Sequence, residues 1–183
     1  QICLVSLIIF FWIDSDVQSQ RYYTRTYTET DGLSSSRVFD VAQDSAGEMW
    51  FATRTGISRY TGIRFVNYNL SDGLQTKSYA FLTVDEKGIL WALPQSGELC
   101  ALKFSDGRWE ARFCDSTLKQ SPYFTAFDVF YQDDKLVVAA GTNKSGLFIC
   151  RDGVWEHYRT NDGTENDRIN GIAYTGDAIY IAT

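Results

Sequence analysis

The 183-residue chain reads as an all-β protein, and three observations carry that reading. Short runs such as Val38-Phe39-Asp40-Val41-Ala42 alternate in character with period two, as half-buried strands do. Asp-Gly and other glycine turns bound those runs, with no helical stretch of useful length between them. The third observation is a repeat: GEMWFATRTGISRY at residues 47–60 returns 41 residues later as GILWALPQSGELCA. Composition agrees, with 44% hydrophobic residues, 15% aromatics and only 2 prolines, an ordinary globular make-up rather than a disordered one. The formal net charge of −6 argues against non-specific nucleic-acid binding, which needs a basic footprint.

Taken in order, the chain begins with ICLVSLIIFFWI at residues 2–13, an apolar run too short for a bilayer, which takes roughly 20 residues. It fits the hydrophobic core of a secretion signal over residues 1–19, with Val17-Gln18-Ser19 at the peptidase site and a clipped leader before it. Residues 20–183 then form the exported domain. The slot of Trp50 is refilled by Trp91, Val137 and Tyr180, at steps of 41, 46 and 43. A period of 41–46 residues carrying four short strands is the signature of a β-propeller blade. The blades fall at about 36–68, 77–114, 123–158 and 168–183, the last cut midway, giving about three and a half four-stranded blades of a partial propeller. Residues 22–28 align with the end of the first blade, Tyr27 matching Tyr68, and read as a lone fourth strand waiting to close the ring. A free edge at each end predicts poor solubility for the isolated piece.

The repeat has a physical reason. One four-stranded sheet buries neither face alone, so it stacks on neighbours, and large aromatics recur where sheets stack. Trp50, Trp91 and Tyr180 are therefore read as inter-blade packing, and Gly56, Gly97 and Gly146 as backbone requirements where the second strand turns into the third. Asp106-Gly107 and Asp152-Gly153 suit two-residue hairpins with positive φ. Export means an oxidising compartment. Cys100 and Cys114 lie symmetrically about Gly107, so a hairpin could pair them, but two buried thiols are the reading favoured by spacing alone.

The search for chemistry returns little. His157 is the sole histidine, on an outer strand with no nucleophile in a strained turn beside it, and reads as a surface residue. One histidine without a Cys-x-x-Cys pair gives no zinc site, and NDGTEND at residues 161–167 misplaces the glycine and glutamate of a calcium loop, so it reads as an enlarged turn. No pattern calls for a metal or cofactor, and no carboxylate pair stands out for glycosidic cleavage. Geometry points to the propeller mouth, where the turns entering each first strand meet those joining second to third strands. The candidate ligand residues there are Arg37, Arg54, Lys77, Tyr79, Gln95, Tyr123, Asn143 and Arg168. Arg37, Lys77 and Arg168 fall within a position or two of one register in an otherwise acidic chain, which suits an anionic or hydroxyl-rich ligand.

The first blade also carries a resemblance. Asp31-Gly32-Leu33, the strand from Val38 to Ala42, Asp44 with Gly47, and Trp50 with Thr53, Gly56 and Ile57 resemble the two-component regulator propeller repeat. The second blade keeps Asp85, Gly88, Trp91 and Gly97 but has Pro94 in place of the threonine, and the third loses the Asp-Gly-Leu turn and the tryptophan. The resemblance implies a seven-bladed ring in the periplasmic sensor region of a transmembrane receptor, non-catalytic in this segment. It implies a small-molecule or oligosaccharide ligand, a downstream membrane helix on the inner membrane, and a histidine kinase or diguanylate cyclase output in a homodimeric receptor. The rivals are a secreted propeller enzyme, lyase or glycosidase, and a structural or adhesion propeller, which would show an exposed apolar patch.

Overall fold

The computed structural model describes residues 24–115, 122–159 and 167–183. The expected signal peptide, Tyr22 and Tyr23 of the closing strand, and most of the 161–167 turn lie outside these residues. Fourteen strands form three four-stranded antiparallel sheets and one two-stranded sheet, each a meander in chain order. Sheet 1 holds β1 (Val38–Gln43), β2 (Met49–Thr53), β3 (Gly56–Tyr60) and β4 (Phe65–Tyr68). Sheet 2 holds β5 (Tyr79–Val84), β6 (Leu90–Pro94), β7 (Leu99–Ser105) and β8 (Arg108–Asp115). Sheet 3 holds β9 (Phe124–Gln132), β10 (Lys135–Thr142), β11 (Leu147–Arg151) and β12 (Val154–Tyr158), and sheet 4 pairs β13 (Gly171–Tyr174) with β14 (Ile179–Ala182). The first strands neighbour one another, β1 beside β5, β5 beside β9 and β9 beside β13, so they line one axis, as in a propeller.

Stacking explains the sequence pattern. In β6 all five residues are buried, because both faces meet another sheet. Leu90 and Ala92 face Trp50, Ile57 and Tyr68 of sheet 1, while Trp91 and Leu93 face the core shared with sheet 3. Period two thus sends alternate residues to opposite neighbours, and the strand reads as continuously apolar. In sheets 1 to 3 the aromatic slot faces the following sheet: Trp50 packs T-shaped on Phe104 and Trp109 of sheet 2, at 4.6 and 5.9 Å. Val137 serves the same slot against Ile169, Ile172 and Tyr174. Tyr180, in that slot of sheet 4, is 60% exposed among the described residues and packs on no following sheet there.

The repeat motif has a hydrogen-bonding logic that spacing alone does not display. Asp44 Oδ1 accepts the backbone N–H groups of Ala46 and Glu48, and its Oδ2 accepts Trp50 Nε1 at 2.8 Å. Asp85 repeats this with Lys87, Ile89 and Trp91, the last at 2.9 Å. One carboxylate therefore ties the turn between first and second strands and satisfies the one polar atom of a buried tryptophan. Thr53 completes the unit: its hydroxyl donates to Gly56 O at 2.9 Å and accepts from Thr55 N at 3.2 Å, an arrangement Thr142 repeats with Gly146 and Ser145.

Between sheets the Asp-Gly-Leu turn forms a one-turn 3-10 helix twice, at Glu29–Asp31 and Leu70–Asp72, each closed by a capping box. Gly73, at φ 99°, is obligatory there, since a Cβ would stand 1.9 Å from the Trp109 carbonyl oxygen. Residues 24–28, expected as a closing strand, pair with no strand in the described structure. Yet Tyr27 packs on Tyr60 and Phe65 of sheet 1, at 5.1 and 5.5 Å. Tyr68, its sequence counterpart, meets Phe104 of sheet 2 in the same way at 5.3 Å.

The cysteine reading is corrected. Cys100 and Cys114 form a disulfide, and Cys150 is the one free thiol among the described residues, buried. The reason is a bulge. Asp106 and Gly107, both at positive φ, make a two-residue hairpin with Ser105 opposite Arg108, and that register would set Cys100 against Phe113. The pairing shifts by one between Ala101 and Leu102, leaving Arg112 as the extra residue and bringing Cys100 opposite Cys114.

Candidate functional site

Each complete sheet carries one irregularity at the same place in its first strand. The ladder skips Phe39 in β1, Ala80 in β5 and Thr125 in β9. A bulge re-aims the side chain that it leaves unpaired. All three skipped residues line one cavity of about 270 Å³ at the axis, and Asn170, one step before β13, stands at the corresponding position of sheet 4. The residue two places before each bulge forms the rim: Arg37, Ser78, Tyr123 and, before Asn170, Arg168. Their equivalence is visible in the backbone. Arg54 N donates to Arg37 O, Gln95 N to Ser78 O and Asn143 N to Tyr123 O, at 3.2, 3.3 and 3.0 Å.

Side chains brace this axis from sheet to sheet. Asp40 Oδ2 accepts Leu82 N at 2.8 Å, Thr83 Oγ1 stands 3.5 Å from Asp128 Oδ1, and Thr125 Oγ1 donates to Ile169 O. Burial between sheets raises the Asp128 carboxyl above its ordinary value, against the lowering effect of its bonds from Val129 N and Thr83. At the cavity itself Gln95 Nε2 donates to the Tyr123 hydroxyl at 2.7 Å, across the gap from sheet 2 to sheet 3. Arg168 and Asn170 enter from sheet 4, and Phe39 and Phe81 supply the apolar wall, while Phe124, 1% exposed, belongs to the core between sheets 2 and 3.

Three of the sequence-predicted residues, Gln95, Tyr123 and Arg168, therefore meet in one cavity. Arg37 stands at its edge, its guanidinium 5.3 Å from the centre of the Phe39 ring. The other four do not line it. Arg54 and Asn143 approach through backbone bonds to the rim residues, with Arg54 exposed. Lys77 is one position out of register with Arg37, and lines a separate groove of about 360 Å³ with Thr55, Asn69, Leu70 and Thr76. Tyr79 is fully buried rather than at the mouth. Its hydroxyl oxygen accepts Gln75 N at 3.0 Å, and burial pushes its pKa up to about 12, so it anchors the turn leading into β5. Sequence reasoning missed Phe39, Ala80 and Thr125, because a bulge leaves no mark in residue type.

Among the described residues the lining contains no carboxylate and no nucleophile beside a base; it presents one guanidinium, two amides, hydroxyls and aromatic rings. Such a set can hold a ligand by hydrogen bonds and ring faces. His157 lies elsewhere, stacked on Phe148 at 4.3 Å with its Nε2 against Ser145 O. No group of three or more His, Cys, Asp or Glu side chains among the described residues could hold a metal ion.

Comparison with known proteins bears out the resemblance. Residues 32–55 match the family described as two component regulator propeller. Histidine kinase P4 of Formosa agariphila is 36% identical over 64 residues, which is 35% of this chain and 5% of that protein. Among solved structures, the extracellular domain of a hybrid two-component system from B. thetaiotaomicron superimposes with a TM-score of 0.65 at 15% identity, over 86% of this chain and 21% of that one. The extracellular domain of a second such system from the same organism gives a TM-score of 0.64 at 20% identity, over 86% and 23%. The chain thus has the propeller fold of those domains and spans less than a quarter of their length.

Proposed function

We propose, from a chain that carries a two-component regulator propeller repeat, that it is part of the ligand-sensing region of an exported signalling receptor, and that the sensed molecule sits at the axial cavity. The observation behind this is convergence: three sheets each aim a bulged or rim side chain at one cavity walled by aromatic rings. A rigid ring on which several loops meet gives selectivity without chemistry in the propeller itself. A hydroxyl-rich small molecule such as an oligosaccharide fits the mixture of amide, hydroxyl and ring faces.

The remainder of the receptor follows as part of the same proposal, since this chain spans only a fraction of its relatives. Further blades would complete a seven-bladed ring on the periplasmic side of the inner membrane, with a membrane helix and a histidine kinase or diguanylate cyclase beyond. Ligand binding would alter the geometry of a homodimer. Residues 22–28 would supply the fourth strand of the closing sheet, a role supported by Tyr27 sitting against sheet 1 as Tyr68 sits against sheet 2.

The test is a reporter driven by the intact receptor. Tyr123→Ala with Asn170→Ala should shift the inducer dose response at least tenfold to higher concentration, or about 1.4 kcal/mol, at unchanged receptor level. An unshifted response removes the cavity from sensing.

A further inference from the structure

Polar capacity at the cavity is unequally spent, and the balance identifies the ligand's chemistry. Gln95 uses an amide hydrogen on the Tyr123 oxygen, and its carbonyl faces the Ser78 hydroxyl at 3.4 Å. Thr125 gives its hydrogen to Ile169 O. What remains is predominantly donors: the Tyr123 O–H, whose oxygen is already accepting, the guanidinium of Arg168 and one Asn170 amide. Neither Arg168 nor Arg37 makes an ion pair among the described residues, although the chain carries 23 acidic side chains. Arg37 occupies the same rim register as Arg168 and extends the positive edge over Phe39.

We infer that the cavity takes the anionic group of its ligand, a carboxylate or sulfate carried on a hydroxyl-rich ring. Arg168 grips that group, the Tyr123 hydroxyl donates to it, and Arg37 provides the second positive charge. A planar guanidinium fork matches two oxygens of either group, and the aromatic walls take the ring. Because Tyr123 and Arg168 belong to different sheets, one bound anion bridges sheets 3 and 4, while Gln95 couples sheet 2 through Tyr123.

The inference rests on the reading of the cavity as the sensing site, and the experiment separates the two. The full chain is titrated calorimetrically at low salt with three short oligosaccharides of equal length: a uronate oligomer, a sulfated galactan oligomer and a neutral galactan oligomer. At least one acidic probe should bind roughly tenfold or more tightly than the neutral one, and the better of the two identifies carboxylate or sulfate as the source. R168Q should abolish that preference and R168K should restore only part of it, since an ammonium has charge but no fork. Equal binding of all three probes, unaffected by R168Q but weakened by N170A, overturns the anionic ligand and keeps the cavity. Acidic binding that R168Q, Y123F and N170A all leave intact overturns both. Failure of both acidic probes to bind overturns the inference.

Discussion

Removing the Asp85 carboxylate should destabilise the fold by an amount set mainly by its three short bonds, the fourth, from the Tyr131 hydroxyl, being long at 3.5 Å. In Asp85→Ala, Trp91 Nε1 loses its acceptor in a site where the indole is 2% exposed, so water cannot replace the bond. An orphaned buried donor costs about 1–3 kcal/mol. The N–H groups of Lys87 and Ile89 also lose Oδ1, but the turn around Lys87 is exposed and water can reach them. Their loss adds about 0.5–1 kcal/mol each, the net worth of an ordinary hydrogen bond. The total is about 3 kcal/mol, which at a urea slope of about 2 kcal/mol/M lowers the midpoint by roughly 1.5 M. The assay is urea unfolding of the full chain followed by tryptophan fluorescence and far-UV circular dichroism. Trp91→Phe supplies the second leg of a double-mutant cycle, because phenylalanine has no N–H to orphan. In that background Asp85→Ala should cost only the turn share, about 1–2 kcal/mol. A cost below about 1 kcal/mol in the wild-type background, or a cycle with no coupling, would refute the account of why the motif joins an aspartate to a tryptophan.

Reduction of the Cys100–Cys114 bridge, which closes a separation of 14 residues, should lower stability by about 3 kcal/mol. A urea midpoint indifferent to dithiothreitol would mean that the bridge is absent. Tyr27→Ala removes two ring contacts and should cost about 1–2 kcal/mol, and a neutral result would detach residues 24–28 from sheet 1. Asp128 has a folded-state pKa above its unfolded one, because burial opposes its charge. The native state therefore holds the proton more tightly, and stability falls as pH rises from the ordinary aspartate value through the raised one. Asp128→Asn should flatten that part of the stability–pH curve, and an unchanged curve would show that the carboxyl is not desolvated.

Much of this fold was legible because stacking imposes its own period on the chain. Trp50 and Trp91 must fill equivalent slots, and Asp106-Gly107 and Asp152-Gly153 adopt the positive φ their hairpins need. Asp133-Asp134 makes the same turn without glycine, both residues at positive φ, and escaped notice because only aspartate's tolerance of that region permits it. What stayed hidden are shifts of one residue. The extra Arg112 decides the disulfide, and Phe39, Ala80 and Thr125 decide what faces the cavity. A one-residue slip exchanges the faces of a strand without changing its composition. Tyr79 misled for the same reason: Ser78 beside it holds the rim register, and the tyrosine turns inward.

Whether this propeller region senses a ligand at the axial cavity is decided by a structure of the receptor's extracellular region bound to its inducer. Ligand density is expected between sheets 2 and 4, with acceptor atoms within hydrogen-bonding distance of Tyr123 Oη and the Arg168 guanidinium and a ring against Phe39 or Phe81. Inducer bound at another surface, with the cavity unchanged and Arg168 in solvent, would contradict it.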